Sequence, residues 1–320
     1  MHPLRPRDTP SRTSRKFRLP ALITSVLILS GALTAPAQPA APAALGVHWN
    51  EGAKHCALES AAPLQVLAYN SQTFIIRQNP CISGEANFMY LLIGSNQALL
   101  IDTGAVESTA LMPLAETVMG LLPDRGAGKL PLLVVHTHKH LDHRTGDAQF
   151  AGLTGVHVVP ADLVSVKQFF GFPSWPDGVA HLDLGERVID VLPAPGHQDC
   201  HVVFYDNGAA LLFSGDFLMP GRLLIDDRDA FHSSAQRILD YLHTRPLSHI
   251  LGGHIELSAN GAPYHFGSHY HPNERPLELS REDLQSLPAA MEHWNSFYKR
   301  YPNFILFNSK LEFIFAFEKW

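Results

Sequence analysis

The chemistry of this chain is concentrated in one short stretch, "HTHKHLDH", which runs from His136 to His143 and holds four histidines and an aspartate. In an extended chain, residues i and i+2 point the same way, so His138 and His140 can present their imidazoles to one metal ion. Asp142 and His143 are adjacent in sequence and cannot easily join that face, so they fit a second ion beside the first. The spacing therefore predicts part of a two-metal site.

Three further metal-competent residues each follow an apolar run: His197 in "PGH", Asp216 in "SGD" and His254 in "GGH". His197 can supply a third nitrogen to the first ion, and three protein ligands plus an open position are the pattern of a catalytic zinc site. His254 fits the second ion, and the two carboxylate oxygens of Asp216 can bridge both ions. Histidine with carboxylate ligation favours Zn2+, with iron or manganese as alternatives.

Two residues close to these motifs are not assigned as ligands. His136 lies one full pleat behind His138, about 6.6 Å further back along the same strand. It is therefore predicted to pack in the strand or to support the ligands. Cys200 follows His197 by three residues and is interpreted as buried strand packing rather than as a nucleophile.

A frame of strands must position these polar residues, because most of them stand where an apolar run ends. Apolar or alternating runs predict strands over residues 63–70, 73–79, 87–94, 97–104, 130–138, 156–161, 187–197, 201–206, 209–216 and 248–254, and paired strands over 303–320. Apolar residues at helical spacing predict helices over 107–122, 161–172, 228–245 and 280–301. Each half of the chain has strands first and helices after. This order favours an α/β fold with two sheets face to face and helices outside, a four-layer αββα sandwich.

Together with "IDTG" at 101–104, the motifs "THKHLDH", "PGH", "SGD" and "GGH" resemble those of the metallo-β-lactamase fold superfamily, over roughly residues 62–260. The resemblance implies the same αββα sandwich and two divalent metal ions, with Zn2+ first. It implies that Asp216 bridges the ions and that the other ligands are His138, His140 and His197 for one ion and Asp142, His143 and His254 for the other. Asp102 in this family usually stands behind the ligands, where an aspartate fixes the tautomer of a ligand histidine.

Hydrolysis is the reaction expected of such a site. Two bound cations share a water molecule and lower its pKa from 15.7 to about 7. The bridging hydroxide attacks a carbonyl or phosphoryl group, and Asp142, as ligand and proton acceptor, can pass a proton to the leaving atom. The resemblance implies that β-lactamases of the superfamily lack an aspartate at the bridging position, which Asp216 occupies here. An ester, thioester or lactone of small size is therefore the expected substrate.

Other activities of the same fold stay open as alternatives. A β-lactamase, which cleaves the amide bond of β-lactams, would suit an exported protein. A metal-dependent oxidoreductase would hold iron, so metal analysis separates it from a zinc hydrolase. A non-catalytic zinc-binding protein is disfavoured because no ligand is missing. Nucleic acid is disfavoured as a partner, because the chain has 24 Lys and Arg against 30 Asp and Glu and phosphate binding requires clustered cations.

The first 37 residues differ from the rest of the chain. Basic residues precede an uncharged apolar run at 21–35 and the small residues of Ala35-x-Ala37, a pattern typical of a secretory signal peptide. The run is shorter than the about 20 residues of a membrane span. Residues 1–37 are therefore predicted to be a signal peptide, and the mature protein to be periplasmic or secreted without stable membrane insertion.

The remaining chain is divided into a linker with an N-terminal segment (38–60) and one hydrolase domain (61–320) with a C-terminal extension from about residue 260. In an oxidising compartment Cys56 and Cys81 can pair, which would leave Cys200 free.

Two loops are predicted to shape a pocket. The aromatic stretch at 169–178 either caps a ligand or packs under a turn. The stretch at 260–274 is long, polar and without periodicity, which is often a sign of function. A tyrosine or histidine in it can donate a hydrogen bond to an oxyanion.

Overall fold

The computed structural model describes residues 44–126 and 128–311. The predicted signal peptide (1–37), the start of the predicted linker and the end of the predicted C-terminal strands lie outside the described residues. Among the residues described, no helix has the length and apolar character to cross a bilayer. A disulfide joins Cys56 to Cys81 and the thiol of Cys200 is free and buried, which confirms the predicted pairing.

The first sheet contains six strands in chain order: β1 (Leu64–Asn70), β2 (Thr73–Gln78), β3 (Phe88–Ile93), β4 (Ala98–Ile101), β5 (Leu132–Val135) and β6 (Val156–Val158). Strands β1 to β4 form an antiparallel meander, whereas β4, β5 and β6 are parallel. Strands β3, β4 and β5 are buried along their whole length, as expected for strands covered on both faces.

The second sheet also has six strands: β7 (Ala180–Asp183), β8 (Val188–Pro193), β9 (Val202–Asp206), β10 (Leu211–Gly215), β12 (His249–Gly252) and β13 (Glu278–Leu279). Their order in the sheet is β13-β12-β10-β9-β8-β7. Strands β7 to β10 are antiparallel neighbours, and β10 and β12 are parallel. Each sheet therefore contains parallel neighbours whose carboxyl ends meet at one edge.

Five helices and a small third sheet complete the described structure. The helices are α1 (Leu114–Leu121), α2 (Leu141–Arg144), α3 (Leu163–Phe170), α4 (Arg228–Leu242) and α5 (Arg281–Glu292). The third sheet places β15 (Ile305–Asn308) between β11 (Arg222–Ile225) and β14 (Tyr298–Arg300).

The buried side chains define four layers. Between the two large sheets, Tyr90 of β3 meets Phe213 of β10 with ring centroids 4.7 Å apart, within one core cluster. The outer face of the first sheet packs against α1 through Val118. The outer face of the second sheet packs against α4 and α5 through Ile238 and Leu284. The predicted αββα sandwich is confirmed.

The predicted elements differ from the structure mainly at their ends. The helix predicted over 107–122 begins only at Leu114, directly after Pro113. The helix predicted over 280–301 ends at Glu292, and Ser296 then adopts a positive φ of 61° before β14. Strands β7, β11 and β13 were not predicted, because they do not lie in longer apolar runs such as those that contain β4, β5 and β12. Strand β14 falls within residues that were predicted to be helical.

Candidate metal centre

Three histidine nitrogens converge at the carboxyl end of the first sheet. His138 follows β5, His140 stands directly before α2, and His197 lies in the turn after β8. Their inward nitrogens form a triangle: His138 Nε2 to His140 Nδ1 is 3.0 Å, and His197 Nε2 is 3.1 Å from each of the other two. Nitrogens this close together can all reach one ion at the usual zinc–nitrogen distance of about 2.0–2.1 Å.

A second group of metal-competent atoms lies beside the first. Asp142 and His143 belong to α2, and His254 follows β12 of the second sheet. His143 Nε2 is 3.1 Å from Asp142 Oδ2, and His254 Nε2 is 3.2 Å from both of these atoms. Two nitrogens and a carboxylate oxygen therefore face one point, which gives a donor set suited to a divalent cation.

Asp216, directly after β10, stands between the two groups. Its Oδ2 is 3.8 Å from His138 Nε2 and 3.7 Å from His197 Nε2. Its Oδ1 is 3.3 Å from His143 Nε2 and 3.5 Å from His254 Nε2. This Oδ1 is buried and accepts no hydrogen bond within the described part of the chain, so a neighbouring cation would supply the partner that the protein does not.

The outer nitrogens of three histidines fix which ring nitrogen carries the proton. His197 Nδ1 lies 2.7 Å from the carbonyl oxygen of Leu224, and His254 Nδ1 lies 2.6 Å from that of Glu85. His143 Nδ1 lies 2.9 Å from a carboxylate oxygen. Carbonyl and carboxylate oxygens only accept, so each outer nitrogen must donate and each inner Nε2 keeps its lone pair for a metal ion.

Asp102, after β4, connects the two groups from behind. It has a positive φ of 65° and is buried. Its Oδ2 accepts hydrogen bonds from His143 Nδ1 and from the Thr137 hydroxyl, both at 2.9 Å. Because Thr137 Oγ1 gives its hydrogen to Asp102, it accepts from His138 Nδ1 at 3.0 Å. Asp102 therefore orients one histidine of each group, one directly and one through Thr137.

Glycines allow the two sheets to meet at this edge. A Cβ atom on Gly215 would lie 2.6 Å from Thr137 Cβ, and Gly215 has a positive φ of 51°. A Cβ atom on Gly253 would lie 2.4 Å from Asp216 Oδ1. Larger residues at these positions would push the strand ends apart and separate the two groups.

Burial keeps His138 and His140 of the first group uncharged. Burial, with the nearby imidazole of His143 adding to it, lowers the pKa of His138 well below its ordinary value. Burial and the neighbouring His197 lower the pKa of His140 to about 4. Both imidazoles are therefore neutral at neutral pH, which is the form that binds a metal ion.

The second group has the opposite electrostatic character. Burial opposes protonation of His143, but the carboxylates of Asp142 and Asp216 outweigh it and raise its pKa well above the ordinary value. Burial likewise opposes the charged form of His254, and the same two carboxylates raise its pKa to about 10. Positive charge between these side chains is thus strongly favoured, and a bound cation would supply it in place of protons.

His136 lies outside both groups. Its Nε2 is 2.8 Å from Asp147 Oδ1 and its Nδ1 is 3.2 Å from the carbonyl oxygen of Val159. Both ring nitrogens are therefore engaged away from the metal centre.

The two loops that were expected to shape the pocket have other contacts. In the stretch 169–178, Phe170, Phe172 and Trp175 pack against the core between the sheets, so this loop packs in the ordinary way. In the stretch 260–274, His269 Nδ1 is 2.7 Å from the carbonyl oxygen of Pro80, and Tyr270 pairs with the N-terminal segment.

Sequence reasoning missed three side chains at the centre. Asn87 donates to Asp142, and Thr137 links Asp102 to His138 as described above. His201, which carries no motif, stacks its ring on that of His138 at 5.0 Å with an interplanar angle of 14°. Thr137 and His201 could have been suspected only because they lie near the motifs in the sequence. Nothing in the sequence pointed to Asn87.

Comparison with known proteins agrees with this geometry. The family model of the metallo-beta-lactamase superfamily matches residues 83–254. The human acyl-coenzyme A thioesterase MBLAC2 is 26% identical over 240 residues, covering 62% of this chain and 83% of the relative. The hydroxyacylglutathione hydrolase of Rhodobacter capsulatus is 30% identical over 191 residues, covering 57% and 66%.

The solved structures that match this chain share less of its sequence than the relatives above. A metallo-beta-lactamase from Pontibacter korlensis covers 72% of this chain and 100% of its own, with 18% identity and a TM-score of 0.49. The family match spans more than half of the chain and includes the metal-competent residues of both groups. The chain therefore belongs to the metallo-beta-lactamase superfamily.

Proposed function

We propose that this hydrolase cleaves a thioester, ester or lactone bond with two divalent metal ions, Zn2+ first, one in each group of ligands. The observation that carries the proposal is Asp216, which directs one carboxylate oxygen toward each group. Thioesters stand first among the substrates, because the relatives include an acyl-coenzyme A thioesterase and a hydroxyacylglutathione hydrolase.

The ions, when bound, supply Lewis acidity toward the carbonyl oxygen of the substrate and lower the pKa of water. The protein holds these ions through His138, His140 and His197 on one side and Asp142, His143 and His254 on the other. Asp142 also handles a proton, because its side chain is 22% exposed whereas that of Asp216 is 9% exposed. It is therefore the carboxylate that would accept a proton from the attacking water and pass it to the leaving sulfur or oxygen.

The acyl part of the substrate lies in a groove of about 630 Å³ that opens beside His140. Leu141, Val158 and Pro160 contribute apolar surface to the groove. Leu141 is 65% exposed although it stands between two ligand residues, so its apolar side chain is available to a substrate. Covering such surface with an alkyl chain is favourable.

The protein acts in the periplasm or outside the cell in this proposal. The basic, apolar and small residues of the first 37 positions support export. The Cys56–Cys81 disulfide supports it independently, because disulfides persist mainly in oxidising compartments. N-terminal sequencing of the protein from fractionated cells tests this: a mature chain that begins near residue 38 in the periplasm or medium is expected, and an intact chain in the cytosol would contradict it.

A substrate panel on metal-analysed protein tests the activity. Acyl thioesters, aryl esters, lactones and a chromogenic cephalosporin are offered to protein whose zinc and iron contents are known. Metal-dependent hydrolysis of thioesters or esters is expected. Turnover of the cephalosporin alone would favour a β-lactamase, and iron content with oxygen consumption would favour an oxidoreductase; either result would overturn the proposal.

A further inference from the structure

We infer that Asn87 is a positioning residue for the second metal ion: its side-chain amide holds the Asp142 carboxylate toward the point that Asp142, His143 and His254 share. This inference rests on the proposed two-metal function. Asn87 lies beside the two groups of metal-competent histidines and aspartates, and none of the motifs includes it.

The backbone fixes Asn87 at the centre. Asn87 stands directly before β3, and its carbonyl oxygen accepts a hydrogen bond from the Gln78 amide at 2.9 Å. The amide of the next residue, Phe88, donates to the carbonyl oxygen of Gly253 at 2.8 Å. Asn87 is therefore held between the end of β2 and the residue that precedes His254, and its side chain is fully buried.

Chemistry sets the orientation of the amide. Asn87 Nδ2 is 3.1 Å from Asp142 Oδ2 and 3.4 Å from His254 Nε2. An ionised carboxylate only accepts, so Asp142 Oδ2 requires a donor. The NH2 end of the amide must therefore face Asp142, because the opposite orientation would bring two acceptor oxygens together.

The other end of the amide is left without a partner. Asn87 Oδ1 is buried and accepts no hydrogen bond from any residue the structure describes. A buried acceptor without a donor is unfavourable. If residue 87 only packed in the core, an apolar side chain of similar size would give higher stability. Asn79, in the same loop, shows the contrast: its Nδ2 donates to Ala62 at 3.2 Å and its Oδ1 accepts from Cys81 at 2.9 Å.

The contact with Asp142 acts on one ion and not on the other. Asp142 is the only ligand of the second group whose side chain is appreciably exposed, at 22%, and without Asn87 it can rotate toward solvent. Neither contact of Asn87 reaches a histidine of the first group. Loss of a residue that orients a ligand typically weakens metal binding about 10–100-fold. Only the affinity for the second ion should therefore be weakened.

The test compares Asn87→Leu and Asn87→Ala with the wild type. Two stepwise Zn2+ affinities are measured by competition with a chromophoric chelator, and Co2+ absorption spectra report each site. Both variants are expected to keep the first affinity and to lose about 10–100-fold in the second. The metal-free Asn87→Leu protein is expected to be at least as stable as the wild type, because the unpaired oxygen is gone. A merely structural role would lower stability instead.

Asn79→Ala is the matched control. It removes a buried asparagine of the same loop that contacts no ligand, so it should lower stability and leave the ratio of the two affinities unchanged. An unchanged second affinity in both Asn87 variants, or an equal loss at both sites, would overturn the role of Asn87 alone. A wild-type protein that binds only one ion would overturn the two-metal function and the role of Asn87 together.

Discussion

At the scale of single residues, only some histidines of the "HTHKHLDH" stretch point toward the proposed metal centre. His138 and His140 belong to the first group, whereas His136, two residues before His138, directs both ring nitrogens toward Asp147 and Val159. Which of these histidines are ligands could be predicted from the sequence, because the adjacent Asp142 and His143 fix the alignment of the H-x-H-x-D-H motif. Asn87 could not be predicted, since an asparagine before a strand is common and its function arises only when β3 is brought against α2.

Replacing His136 tests the frame of the motif. His136→Ala should retain both metal ions and lose roughly 1–3 kcal/mol of unfolding free energy, because Asp147 and the Val159 carbonyl lose a buried partner. Metal content is measured by elemental analysis and stability by chemical denaturation. A variant that folds but lacks one ion would show that His136 is a ligand and that the motif has been aligned wrongly.

Replacing Leu141 tests whether the groove beside His140 binds the acyl chain. Because Leu141 is 65% exposed, Leu141→Asp should fold normally. The KM for a long-chain acyl thioester is expected to rise about 10-fold, as expected when apolar burial of one side chain is lost, with little change for an acetyl thioester. Leu111→Asp is the control, since Leu111 is also exposed and does not line the groove. Equal effects on both chain lengths would place the acyl chain elsewhere.

At the scale of elements, the ends of parallel strands bring the ligands together. Asp102 follows β4 and the "HTHKHLDH" stretch follows β5, its parallel neighbour. Asp216 and His254 follow β10 and β12, which are also parallel. The apolar runs predicted these strands, because each is buried on both faces. They gave no sign of β13, which has only two residues.

The Cys56–Cys81 disulfide is expected to support the second metal site. Cys81 lies in the loop 79–87, which also contributes Asn87 and the Glu85 carbonyl that orients His254. Cys81→Ser should lower the unfolding free energy by about 3 kcal/mol and weaken the second Zn2+ affinity, because the loop gains freedom. Denaturation and metal titration measure both effects.

Cys200→Ala is the control for the disulfide, because Cys200 is buried and unpaired. It should leave the ratio of the two Zn2+ affinities as in the wild type. A Cys81→Ser protein with an unchanged second affinity would show that the loop is held without the disulfide.

Asp190 gives the second sheet a pH-dependent link to α4. It accepts hydrogen bonds from His181 of β7, from Asn207 at 2.6 Å and from the Tyr241 hydroxyl of α4. Burial opposes ionisation, but these bonds lower the pKa of Asp190 below its ordinary value of 3.8. The stabilisation is therefore present above that value and lost as the pH falls through the lowered pKa.

Asp190→Asn should accordingly be less stable than the wild type at neutral pH. The difference in unfolding free energy should shrink in acid, when the wild-type carboxyl is itself protonated. Urea unfolding over a series of pH values measures this. A difference that is constant with pH would mean that the charge of Asp190 contributes nothing.

At the scale of the whole molecule, each half of the chain supplies part of both metal groups. The first half gives His138, His140, Asp142 and His143, and the second gives His197, Asp216 and His254. The order of the motifs was enough to predict the family and the αββα sandwich, because each motif ends an apolar strand. The contact between the halves, through Gly215 against Thr137, required the structure, since it depends on how two sheets approach.

The two-metal function is tested most directly by counting tightly bound ions in the wild type and in Asp216→Ala, together with thioester hydrolysis. The wild type should bind two ions per chain. Asp216 Oδ1 is 3.3 and 3.5 Å from the histidine nitrogens of the second group, whereas Oδ2 is 3.8 and 3.7 Å from those of the first, so the variant should retain the ion of the three histidines and lose the other. Its hydrolysis should fall by more than about 100-fold, since a bridging ligand matters more than the residues that orient ligands. Two tightly held ions with undiminished hydrolysis in Asp216→Ala would contradict the proposed function.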